Sequence, residues 1–297
     1  MSAYTKDDLV RLPKRHDTFV GIDSDGCVFD TMEVKQKKFF HREIVRCWGL
    51  GPIESQTRRA AEFVNLYSKS RGQNRFLALL RMFELMAEWP EIARSGVPLP
   101  GLAPLRGYCG SGLELSNATL KREVERTGDA ELRRILDWSL AVNRAIDREM
   151  GEVPPFQGVR ECLERFAARS DVIVVSQTPE EALVKEWNLH GLARYAGAIA
   201  GQELGTKGQH LDLATKGKYD PDRILMIGDA PGDRKAAAQV KAHFYPINPG
   251  REEASWARLL AEAYDRFLAG TYGGAYEQAL AAEFEALLPD RPPWARA

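Results

Sequence analysis

Three short apolar runs, each stopping abruptly at a polar residue, constrain this chain more than any other feature. Residues 18–22 read T-F-V-G-I and stop at D-S-D-G, residues 172–175 read V-I-V-V and stop at Ser176, and residues 224–227 read I-L-M-I and stop at Gly228-Asp229. Apolar runs without polar alternation suit strands of a parallel sheet covered on both faces, because neither face meets water. Helical text separates the runs. Residues 158–169 carry Val159, Leu163 and Phe166 at helical spacing, Pro179 stands where a helix can begin, and residues 233–240 are alanine-rich. The order β-α-β-α predicts an α/β fold, a doubly wound parallel sheet of Rossmann-like type. Ligands of such sheets bind beyond the carboxyl ends of the strands, so Asp23, Ser176 and Asp229 are expected to converge there.

The text changes character over residues 32–153, where long amphipathic stretches replace strand-like runs. This segment reads as an inserted all-helical domain with helices over 33–48, 53–66, 75–88, 116–127 and 129–149, interrupted by a Gly/Pro-rich loop over 95–112. Two further helices, 252–268 and 275–287, precede a tail, R-P-P-W-A-R-A, that is expected to fray. The domain plan is thus a sheet domain of residues 1–31 and 154–250, a helical insertion of 32–153, and a C-terminal helical extension of 251–297.

Composition removes several classes of function. The 297 residues are 44% hydrophobic and 28% charged, as in a soluble globular protein with a sizeable core. Lys+Arg 41 against Asp+Glu 42 leaves a net charge of −1, so the chain offers no global attraction to nucleic acid or to an anionic membrane. Any anion site is local. The opening residues lack an apolar signal core, and no apolar run approaches the roughly 18 residues of a membrane span, which leads us to expect a cytoplasmic protein. Cys27, Cys47, Cys109 and Cys162 form no C-x-x-C pair and read as free buried thiols. His41, His190, His210 and His243 show no metal-ligand spacing.

Chemistry concentrates at the ends of the three runs. Directly after a buried strand, one carboxylate of Asp23-Ser24-Asp25 can act as a nucleophile while the other gives and takes protons. Gly26 lets the chain turn tightly beside them. In Gly228-Asp229-Ala230-Pro231-Gly232-Asp233 two more carboxylates follow a buried strand, and with the first pair they offer oxygen ligands to a hard cation such as Mg2+. Ser176 is followed by Gln177 and Thr178. A hydroxyl there and the free N–H groups at a helix start can together hold a phosphoryl oxygen. Among the lysines, Lys207 in G-T-K-G-Q-H-L begins a helix well before Asp229, whereas Lys216 and Lys218 leave little room for a helix ahead of the last strand. Lys207 is therefore the cation expected beside the phosphate and the nucleophile.

These four ordered motifs, D-S-D-G-C-V-F-D, the strand-terminal Ser176, Lys207 and G-D-A-P-G-D, resemble those of the haloacid dehalogenase-like superfamily. The resemblance covers residues 15–31 and 154–250. It implies a phosphatase in which Asp23 attacks phosphorus, Asp25 serves as acid and then base, and Asp229 anchors Mg2+ with Asp233 and the Asp25 backbone carbonyl. Asp23, Asp25, Asp229 and Asp233 are thus the expected metal-site residues, and Ser176, Gln177 and Lys207 the substrate-binding ones. It also implies that the insertion is a cap that selects a small phosphorylated substrate, with Arg71 and Arg75 of the polar link 66–75 as candidates to hold a second anionic group. Cys27 departs from the threonine or valine common at its position and is expected to pack rather than react. Simple hydrolysis is the expected reaction; a phosphomutase or a phosphonate hydrolase would share the same core, and a non-catalytic phosphate-binding protein the same fold. The C-terminal helices either buttress the core or form a homodimer contact.

Overall fold

A computed structural model describes residues 4–295; the first three residues and the last two, which belong to the expected fraying tail, lie outside the described residues. The chain forms two compact units. One joins the residues up to Thr31 with Val153–Leu287, the other joins Met32–Glu152 with the tail from Leu288.

In the first unit, five strands form one parallel sheet: β1 (Phe19–Ile22), β2 (Asp171–Val175), β3 (Ala198–Ala200), β4 (Ile224–Gly228) and β5 (His243–Pro246), in the order β3-β2-β1-β4-β5. β1 is central. Ile22 pairs with Val174 on one side and with Ile227 on the other, so the residues just past β1, β2 and β4 leave the sheet side by side. All four residues of β1 and all five of β4 are buried, which accounts for runs without polar alternation. β3 and β5 escape the sequence reading because β3 has three residues and β5 reads H-F-Y-P, with the proline that only an edge strand accepts.

The helices after β5 close that edge. Trp256, Leu259, Tyr264, Phe267 and Tyr272 are fully buried in the same core as β1 and β2. Tyr272 Oη donates to the Phe244 carbonyl at 2.8 Å, and the Glu277 carboxylate accepts the Phe244 N–H at 2.8 Å, so one residue of the connecting loop and one of the last helix cover the polar rim of β5. Of the two roles weighed for the extension, buttressing is the one these contacts perform.

The second unit is helical around its own apolar cluster of Phe40, Ile53, Leu79, Phe83, Leu120, Trp138 and their neighbours. Helices Glu54–Leu66, Arg75–Ala87, Asn117–Thr127 and Ala130–Glu149 fall within a residue of their expected spans. Asn74, Ser116 and Asp129 cap three of them by accepting backbone N–H bonds. Residues 31–48 run as helix, then a π-turn over Gln36–Phe40, then helix again. The loop expected over 95–112 contains a helix, Ala103–Cys109, opened by Pro104 at its first turn.

The tail does not fray as expected over its described residues. The Trp294 and Trp89 rings stack with centroids 4.3 Å apart and planes 9° off parallel, and the Arg59 guanidinium lies over both rings. Lys69 Nζ also donates to Asp290 Oδ2 at 2.7 Å. The single extension expected over 251–297 is therefore divided, with its helices on the sheet unit and its last residues on the helical one. No helix among the described residues is long and apolar enough to cross a membrane.

Candidate active site

At the end of β1 the backbone stays in the sheet for one more residue, since Asp23 N–H donates to the Ile227 carbonyl at 3.0 Å. The chain then turns. Gly26, at φ 80°, occupies the left-handed region that a side chain disfavours, and its N–H donates to the Phe29 carbonyl at 2.8 Å. Trp187 Nε1 donates to Ser24 Oγ at 3.0 Å and Trp256 Nε1 to the Cys27 carbonyl at 2.9 Å, so two buried indoles pin this turn from beneath. Cys27 is fully buried, and burial foremost pushes its thiol pKa well up, which suits a packing residue.

Asp23 is buried, and its carboxylate lies 2.7 Å from Lys207 Nζ, which also donates to Asp233 Oδ1 at 2.6 Å. Lys207 is the first residue of the helix Lys207–Thr215, started by a capping box between Thr206 and Gln209. Lys216 is 78% exposed beside Asp212, and Lys218 Nζ donates to the carbonyls of Val10 and Leu12. Of the three lysines weighed from sequence, Lys207 stands at the nucleophile candidate.

Asp229 and Asp233 are both fully buried after β4. Oxygens of Asp23, Asp229 and Asp233 lie within 4.8 Å of one another. Asp233 Oδ2 accepts the Ala230 N–H at 3.0 Å, so this carboxylate also shapes its own loop. Gly228 makes room for it, because a Cβ at residue 228 would come within 2.3 Å of Asp233 Cγ. Gly228→Ala is accordingly expected to displace the Asp233 carboxylate from Lys207 and, on the phosphatase reading that the motifs imply, to lower turnover by about 10²-fold, the order seen for ångström-scale misplacement of a reacting group. Wild-type turnover in a folded Gly228→Ala protein would refute this.

Three buried carboxylates and the Lys207 ammonium share this site. Burial pushes the Asp23 pKa well up, Lys207 opposes that, and Asp233 and Asp229 add to it. On Lys207, burial disfavours the charge but is outweighed by Asp23 and Asp233, which hold the ammonium above the usual lysine range. Lys207 stays a cation. An all-oxygen donor set of converging carboxylates fits Mg2+, a hard cation that usually takes one or two carboxylates and completes its shell with water and phosphate oxygens.

Asp25 points both carboxylate oxygens at hydroxyls: Thr31 Oγ1 donates to Oδ1, and Thr178 Oγ1 donates to Oδ2 at 2.6 Å. Ser176, 2% exposed past β2, accepts the Thr178 N–H on Oγ at 3.1 Å. Gln177 Nε2 donates to the Gly205 carbonyl at 2.9 Å, tying this loop to the one that leads into Lys207. The two threonines were visible in the sequence only as neighbours of motif residues; that both would reach Asp25 needed the fold. Arg71 and Arg75 belong to the helical unit. Arg71, 2% exposed, donates from Nη1 to the Leu66 carbonyl at 2.9 Å. Arg75 donates to Ser139 Oγ at 2.9 Å and to Asn143 Oδ1 at 2.8 Å, and its guanidinium lies over the Phe40 ring. The link 66–75, expected as a substrate-recognition loop, is partly folded into that unit.

Fold and site together define a doubly wound α/β protein with an inserted helical unit and an acid–lysine cluster beyond the carboxyl ends of its central strands. No protein-family model matches the chain, and no curated protein does. Solved structures to which it is similar include a HAD-superfamily hydrolase, subfamily IA, from Geobacter sulfurreducens PCA, 16% identical over 79% of this chain and 90% of that one, with a TM-score of 0.40. Another is a haloacid dehalogenase-like family hydrolase from Xanthomonas campestris, 15% identical over 86% of this chain and 98% of that one, TM-score 0.44. A third is a haloacid dehalogenase-like family hydrolase from Streptococcus pneumoniae, 14% identical over 80% and 90% of the two chains, TM-score 0.41.

Proposed function

We propose that this chain is a Mg2+-dependent phosphatase of the haloacid dehalogenase-like type, hydrolysing small phosphomonoesters through an aspartyl-phosphate. The observation that carries this reading is the buried Asp23 carboxylate held 2.7 Å from Lys207, with Asp229 and Asp233 converging on it and Asp25 two residues on. A carboxylate so placed can attack phosphorus, and its burial keeps water from competing until the ester bond has broken.

In the first step an Asp23 oxygen bonds to phosphorus as the phosphorus–oxygen bond to the leaving group breaks, and Asp25 gives its proton to the departing oxygen. In the second step Asp25 takes a proton from water, whose oxygen bonds to phosphorus as the Asp23–phosphorus bond breaks, releasing inorganic phosphate and restoring both acids. Lys207 offsets the charge that phosphate brings against Asp23, and the Ser176 hydroxyl and neighbouring loop N–H groups hold phosphoryl oxygens. Asp23, Asp229, Asp233 and the Asp25 backbone carbonyl would hold Mg2+, which when bound supplies Lewis-acid stabilisation of charge on the phosphoryl oxygens.

The test is release of inorganic phosphate from a broad panel of phosphorylated metabolites, in Mg2+ and in chelator. We expect turnover in Mg2+, loss of it in chelator, recovery when Mg2+ is restored, and a higher melting temperature in Mg2+ than in chelator, since a ligand bound by the folded state stabilises it. Undiminished phosphate release in chelator, or a melting temperature indifferent to Mg2+, would remove the metal from the reading.

A further inference from the structure

Residues 176–178 touch three parts of the site at once. Ser176 supplies a hydroxyl past β2, Gln177 holds the Gly205 carbonyl two residues before Lys207, and Thr178 Oγ1 donates to Asp25 Oδ2 at 2.6 Å across 153 residues of sequence. Thr178 is itself fixed from three sides. Its N–H donates to Ser176 Oγ at 3.1 Å, its carbonyl accepts the Gln202 N–H at 3.1 Å, and Pro179 restricts its backbone to extended conformations. A β-branched side chain on such a backbone has few rotamers, so the hydroxyl is delivered in one direction. With Thr31 donating to the other oxygen, both oxygens of the Asp25 carboxylate accept from hydroxyls far apart in sequence.

We propose that Thr178 is a positioning residue of the reaction, orienting the carboxyl of Asp25 for proton transfer to the leaving-group oxygen. This inference rests on the phosphatase reading. It assigns Thr178 no contact with phosphate: the residue acts through Asp25, and its loss should appear where acid help matters. Poor leaving groups need a proton in the transition state, whereas activated aryl groups depart largely without one.

The variants are Thr178→Val, which keeps the shape and removes the donor, Thr178→Ala, which cannot crowd the loop, and Thr178→Ser, which keeps the donor. We expect kcat/KM of the Val and Ala variants on the best alkyl phosphate to fall about 10- to 100-fold, the range for loss of orientation without loss of the group. On 4-nitrophenyl phosphate the fall should be several-fold smaller, and the Ser variant should recover most of the alkyl activity. The Mg2+ concentration for half-maximal activity should not move. Equal losses on both substrates would show a merely structural role and overturn the proposal, as would wild-type values on both or a Ser variant as impaired as Val. If the wild-type protein released phosphate from neither substrate, the phosphatase reading itself would fall. If it did so, and Asp25→Asn showed leaving-group dependence while the Thr178 variants did not, only the role of Thr178 would be lost.

Discussion

Asp23→Asn is expected to lower phosphate release by at least about 10⁴-fold while leaving the protein folded. An amide has the shape of a carboxylate but its lone pairs are delocalised away from attack, so the step that makes the aspartyl-phosphate has no nucleophile. Losses of this order follow removal of a covalent nucleophile, since only stabilisation of charge by the rest of the site remains. The fold should survive because the backbone bonds of residue 23 do not depend on the side chain's charge: its N–H still reaches the Ile227 carbonyl, and Lys207 keeps Asp233 at 2.6 Å. Circular dichroism and the melting temperature establish that survival, and single-turnover assays with labelled substrate look for the covalent intermediate. A folded Asp23→Asn protein that retained a tenth of wild-type turnover would end the covalent mechanism, leaving at most a site where water attacks directly.

How much of this site was legible in the sequence depends on the kind of interaction. Buried strands announce themselves by lost alternation, and the polar residue that ends each one is fixed in space once the strands are parallel, so Asp23, Ser176 and Asp229 could be brought together from text alone. Lys207 could be singled out because a helix must fit between it and β4. Two strands stayed hidden, one because three residues carry no period and one because an edge strand tolerates the proline that would exclude a central strand. The grip of Thr178 on Asp25 was invisible for a different reason, since a hydroxyl's partner is decided by a loop path and not by periodicity. The arginines of the 66–75 link show the converse. Placement makes this polar, glycine-containing stretch a candidate recognition loop, but it does not disclose that Arg75 donates to Ser139 and Asn143, side chains that helical pattern alone does not pair with it. The tail misleads for a similar reason, because one stacked tryptophan outweighs the fraying that two prolines and two arginines suggest.

Lys207→Met should be the most damaging change outside the nucleophile, and its effect should depend on Mg2+ in a way that no surface lysine can imitate. The ammonium is 15% exposed and lies within 2.7 Å of two carboxylates that are themselves 5% and 0% exposed. Removing one partner from a buried ion pair leaves charge without compensation, at a cost of about 3–5 kcal/mol. In chelator the sheet unit should therefore melt well below the wild-type protein. Lys216 is paired with Asp212 at 3.7 Å and is 78% exposed, and such surface pairs contribute about 0–1 kcal/mol, so Lys216→Met should melt within error of wild type. Turnover should separate the two lysines as well. Loss of a preorganised charge facing the developing transition state costs on the order of 10²–10³-fold, so Lys207→Met should fall by at least that much and Lys216→Met should not. Mg2+ supplies the discriminating result. A divalent cation among Asp23, Asp229 and Asp233 takes over part of the charge balance that the lysine provided, so Mg2+ should raise the melting temperature of Lys207→Met by more than it raises that of wild type. It should do so without restoring turnover, because the metal cannot also place a positive charge where Nζ stood. An equal Mg2+ increment in both proteins would mean that lysine and metal do not share these carboxylates, and a larger loss of turnover in Lys216→Met than in Lys207→Met would mean that the wrong lysine has been placed beside the nucleophile.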